Sequence, residues 1–65
     1  MTLADLIAKG READREAMRW RCGAVVATRT DASRAARMLD QAAQEEALAD
    51  GIFAEVVAIA EERKQ

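Results

Sequence analysis

Sixty-five residues carrying a net charge of −2 make one domain at most, close to the lower limit for independent folding. The absence of histidine removes the commonest general base and metal ligand, and a single cysteine excludes an internal disulfide. Hydrophobic residues make up 51% of the chain, but sixteen of them are alanine, so large apolar side chains are scarce. A core this thin usually needs a staple or a partner. With no disulfide or histidine-based metal site to supply the staple, the composition predicts self-association, most simply as a homodimer.

Thr2 opens the first element. It precedes Asp5 by three residues, the spacing of a capping box. From there one heptad register runs through Leu3, Leu6, Gly10, Ala13, Ala17, Trp20, Ala24 and Ala27, and every position is apolar or glycine. This predicts a helix over about 3–28. Gly23 lies off the seam and is expected inside the helix at a cost of about 1 kcal/mol relative to alanine.

The segment Thr-Arg-Thr-Asp at 28–31 marks a turn, and Thr28, Thr30 or Asp31 is suited to cap a second helix. A second register then runs through Ala35, Met38, Ala42, Glu45, Ala49, Ile52, Val56 and Ile59, predicting a helix over about 31–63. Only Glu45 departs from apolar character. Asp50–Gly51 is a stop signal, but the register crosses it in phase. A kink or short break is therefore expected there, and a three-helix bundle is the alternative.

The fold expected is all-α: an antiparallel helical hairpin over a single domain, 1–65, dimerising into a four-helix bundle. Antiparallel pairing about the turn brings together residues whose numbers sum to about 59. Leu3 then meets Val56, Leu6 meets Phe53 and Ile7 meets Ile52. Gly10 faces Ala49 and Ala17 faces Ala42, so small residues meet small ones at the waist, while Trp20 faces Leu39, large against large. Charge is divided in the same way. Residues 9–37 sum to +4 and residues 38–65 to −5, which suits one half folding onto the other.

No signal-peptide pattern marks the N-terminus, and the longest apolar or glycine run, 22–27, is too short to span a membrane. A lone thiol with no export signal fits a reducing cytoplasm. Eight arginines against two lysines, with alanine a quarter of the chain, fit a GC-rich bacterial or phage source. Catalytic chemistry is poorly provided for. Glu45 and Glu46 are adjacent, but neighbours on a helix point about 100° apart and form no dyad. Glu12 and Glu16 lack the histidine that di-metal carboxylate bundles use. The three glycines stand alone and build no phosphate loop. The expectation is a protein without catalytic residues, metal or cofactor.

Two surface features remain. Arg11, Arg15 and Arg19 recur every four residues on the face away from the seam, with Glu12 and Glu16 in a parallel row. Interleaved acids neutralise such a row by helical ion pairing, whereas a reader of nucleic acid needs unopposed positive charge. Arg19 is also expected near Asp40, and Arg15 near Gln44 and Glu45. The second feature is an outward apolar stripe, Met18, Cys22, Val25 and Val26, flanked by Arg15 and Arg19. Apolar surface rimmed by arginine is characteristic of protein-binding sites, and this stripe suits either the dimer contact of the bundle or a site for a different protein.

The residues therefore point to a small helical interaction protein, an adaptor, inhibitor or assembly factor, that occupies a partner protein's surface through Arg15, Met18, Arg19, Cys22, Val25 and Val26. The alternative is a binder of RNA or DNA through Arg11, Arg15, Arg19, Arg29, Arg34 and Arg37. In length and architecture that alternative resembles the Rop-type hairpin dimer, although no motif is shared and a common fold does not confer a common function.

Overall fold

A computed structural model describes residues 1–64 as two helices, α1 (Leu3–Ala27) and α2 (Ala32–Lys64). They fold back on one another as a hairpin rod with backbone extents of 53 × 14 × 14 Å. Each terminus of α1 is closed by local chemistry. The Asp5 backbone N–H donates to Thr2 Oγ1 at 3.2 Å, and the Thr2 N–H donates to Asp5 Oδ2 at 3.1 Å, completing the capping box. Those hydrogen bonds from Thr2, the backbone one first, hold the Asp5 carboxyl below its ordinary pKa.

At the other end, α1 runs out where threonine side chains compete for its last carbonyls. Thr28 donates both its N–H (2.9 Å) and its hydroxyl (2.7 Å) to the Ala24 carbonyl. The Asp31 and Thr30 N–H groups donate to the Ala27 carbonyl at 2.7 and 3.0 Å. Of the three residues suited to capping the second helix, Asp31 takes the part: its Oδ1 accepts the Arg34 backbone N–H at 3.0 Å. The reversal needs no glycine and no positive φ.

Helix α2 passes through Asp50–Gly51 without interruption, which corrects the expected break and removes the three-helix alternative. At about 1.5 Å per residue its 33 residues span about 50 Å, nearly the full 53 Å of the rod, so no sharp kink interrupts it either. The stop signal fails because Gly51 has a helical rather than left-handed φ and lies in open surroundings. With the seam continuing on either side, cooperative helix propagation outweighs one glycine, which costs about 1 kcal/mol.

The seam expected from the heptads is the seam observed. Ala13, Ala17, Ala24, Ala27, Ala35, Ala42 and Ala49 are buried, together with Gly10. Leu3, Leu6, Trp20, Met38, Ile52, Val56 and Ile59 are half-buried along its borders. No buried polar side chain interrupts this layer among the described residues. Glu45 stays half-buried at the edge of the seam, its Oε1 accepting from the Gln41 amide at 3.2 Å. Larger side chains thus make the margins, and methyl groups make the middle.

Side-chain contacts depart from the expected pairs in one direction. The Phe53 ring lies over Gly10, one helical turn from Leu6, and the Met38 side chain lies over Gly23. Helical side chains lean toward their own N-terminus. Those of α2 therefore lean toward the turn and those of α1 away from it, so contacting residues sum to more than the backbone levels do. Leu39 is exposed (52%), and Trp20 lines a surface depression with Met38 and Gln41.

The glycines follow different local constraints. A methyl at Gly10 would stand 2.7 Å from the Phe53 ring, whereas one at Gly51 meets nothing within 4 Å. Gly51→Ala should therefore stabilise the hairpin by about 0.5–1 kcal/mol, raising the thermal midpoint by several degrees. Gly10→Ala should gain nothing or lose stability because the ring must shift. Equal gains at the two positions, measured by thermal unfolding followed by circular dichroism, would show that Phe53 is not seated on Gly10.

Candidate functional site

Two surfaces of the rod offer chemistry, one anticipated and one not. The anticipated one is the outer stripe of α1. Met18 (58%), Val25 (72%) and Val26 (74%) are exposed, as is Cys22, which is a free thiol. They point away from α2 because the seam register fixes the opposite face of α1 inward. Arg15 and Arg19 flank them, both exposed.

The arginines are handled unevenly. Arg19 Nη1 lies 2.6 Å from Glu16 Oε1, the helical pair expected from their spacing. Its expected neighbour across the hairpin, Asp40, is not its partner. Instead Arg21, which had no assigned role, bridges to α2 through Glu46 Oε2 at 3.1 Å. Arg21 leans away from the turn and Glu46 toward it, so the two charges converge on the seam edge. Arg15 forms no ion pair with Glu12 or Glu45 among the described residues; the two bridges at Arg19 and Arg21 are the ones present there. Arg11, Arg29, Arg34 and Arg37 are all exposed. Arg34 and Arg37 lie beside Trp20 near the turn, while Arg11 lies toward the open end, so the six arginines do not gather into one patch.

The unanticipated surface is a groove along one edge of the seam, about 620 Å³ in volume. Leu6, Ala13, Leu48 and Ile52 form its apolar floor. Glu12, Glu16, Glu45 and Glu55 border it, with Lys9 the only basic residue among its lining. The signal was present in the sequence as Leu48, an exposed leucine (56%) one place off the seam, and as Glu45, the acidic interruption of the seam. Nearer the turn the same edge carries a smaller depression of about 340 Å³, where Trp20, Met38 and Gln41 meet Arg34 and Arg37. Trp20 is thus half-buried at the border of the core and not within it.

Among the described residues no group of three potential ligands is placed to hold a metal ion. No helix there is long and apolar enough to cross a membrane. Compared with known proteins, the chain matches no family model, no curated protein and no solved structure.

The Arg21–Glu46 bridge joins the helices at a site where its side chains keep 47% and 36% of their exposure, so solvent screens it heavily. A double-mutant cycle with Arg21→Ala and Glu46→Ala should give a coupling below about 1 kcal/mol that fades with added salt. A larger, salt-independent coupling would mean that the pair, not the alanine seam, fastens the two helices.

Proposed function

We propose that this protein is a small non-enzymatic helical interaction module that works by occupying a partner protein's surface through Arg15, Met18, Arg19, Cys22, Val25 and Val26. The observation that carries this reading is the exposure of Met18, Val25 and Val26 on a helix whose other face is already committed to the seam. The hairpin itself has no use for a second apolar face on α1. Solvated apolar stripes of this kind gain free energy on burial at roughly 25 cal/mol per Å², and the flanking arginines add directional hydrogen bonding at the rim. An adaptor, inhibitor or assembly factor of bacterial or phage origin, acting in the cytoplasm, fits such a surface.

Nucleic-acid binding through Arg11, Arg15, Arg19, Arg29, Arg34 and Arg37 is the second reading. Its support is the pair Arg34 and Arg37 beside Trp20, since an aromatic ring among cations suits stacked bases. The Arg19–Glu16 bridge and the acidic groove on the same edge oppose it, because a polyanion following that edge would meet carboxylates toward the open end.

The test is comparative capture. Wild type, the double variant Met18→Glu/Val25→Glu and the control Val57→Glu, changed at an exposed residue of α2, would be immobilised and challenged with lysate and with labelled RNA and DNA at two salt concentrations. A protein retained by wild type and Val57→Glu but lost from the stripe variant, at undiminished helicity, is the expected result. Retention of the same proteins by all three baits, or tight and steeply salt-dependent nucleic-acid binding, would contradict it.

A further inference from the structure

We infer that the grooved edge of the hairpin docks a second copy of this chain, antiparallel, with the acidic open end of each rod against the basic turn end of the other. Both depressions lie on one edge. Lys9 and Glu16 on α1, and Arg34, Gln41, Leu48 and Glu55 on α2, recur at intervals of seven on the same side of the seam. The strip they form is polar in the electrical sense: four glutamates against one lysine line the groove toward the open end, and two arginines line the depression toward the turn, where the Asp31 carboxylate is taken up by the Arg34 backbone N–H.

A twofold axis across the rod superposes opposite ends of that strip twice, satisfying the charges of both copies with one kind of contact. A parallel arrangement sets carboxylate against carboxylate and guanidinium against guanidinium. In the antiparallel one, Trp20 of one copy comes over the Ala13–Leu48 floor of the other, and Arg34 and Arg37 come opposite Glu12 and Glu55. The carboxylates nearest the axis, Glu16 and Glu45, already have local donors in Arg19 at 2.6 Å and Gln41 at 3.2 Å.

The rod also leaves area for such a contact. The hairpin exposes 4942 Å², whereas a folded monomer of its 7.1 kDa mass exposes about 4,100 Å². The excess, about 800 Å², follows from the rod shape, which leaves the sides of both helices away from the seam facing solvent. This contact is separate from the outer stripe and stands or falls without it.

Sedimentation equilibrium under reducing conditions, which keep Cys22 from cross-linking copies, tests the assignment with three samples. Wild type should form dimers that weaken as salt is raised. Arg34→Glu/Arg37→Glu, acidic at both ends, and Glu12→Lys/Glu55→Lys, neutralised or basic at both ends, should each dimerise at least about tenfold more weakly. An equimolar mixture of the two should recover dimers, because each end again meets its opposite. All four substituted side chains are exposed, and recovery in the mixture reads out the contact even if the separate variants lose helicity. A wild type that stays monomeric at about 0.1 mM, well above the micromolar range of specific association, would overturn the assignment. So would variants that dimerise as wild type does, or a mixture no better associated than its components.

Discussion

Close approach of two helices along a methyl-lined seam is the constraint on which the rest of this molecule depends. Among the described residues, Gly10 and seven alanines occupy the buried positions, and no large side chain is fully buried. Each methyl group contributes little transfer free energy by itself. The gain lies in letting the two backbones come near enough for dispersion contacts along the rod. Bulk must then sit at the margins, and the margins are where Leu6, Trp20, Met38, Ile52 and Phe53 are found. Gly10 extends the same principle, since the Phe53 ring occupies the space its missing side chain leaves.

That arrangement sets the surface chemistry. Large side chains pushed to the edges of a narrow seam cannot bury themselves fully against one neighbour. The groove floored by Leu6, Leu48 and Ile52 is therefore a consequence of the alanine seam and not a feature added to it. Charge follows the margins too. Arg21 and Glu46 close one edge, while the other edge carries the carboxylates near the open end and Arg34 and Arg37 near the turn. The outer face of α1 lies beyond both edges, which is why Met18, Val25 and Val26 remain in solvent.

Much of this was legible in the sequence because heptad spacing reports a face directly. All sixteen seam positions are buried or half-buried, and the four stripe residues are exposed. The turn was legible as a cluster of caps, although its choice of Asp31 over Thr28 and Thr30 depends on backbone hydrogen bonds that composition does not encode. Asp50–Gly51 misled because its turn propensity is local and weak beside a 33-residue helix held by a continuous seam. The contacts of Phe53, Met38 and Arg21 were missed for a geometric reason. Residue numbers locate backbone levels, and side chains lean from those levels in opposite directions on antiparallel helices. The groove escaped notice because it is built from edge positions of both helices, which no single-helix pattern brings together.

Denaturant unfolding of Ala17→Leu beside Ala43→Leu tests the alanine seam most directly. Ala17 is fully buried where the helices meet, and Ala43 is exposed on α2. The added bulk at residue 17 must force the helices apart, so Ala17→Leu should lose about 1–3 kcal/mol, while Ala43→Leu should stay within about 0.5 kcal/mol of wild type. If Ala17→Leu proves as stable as wild type or more so, the helices are not in close contact at that level and the seam does not hold the hairpin together.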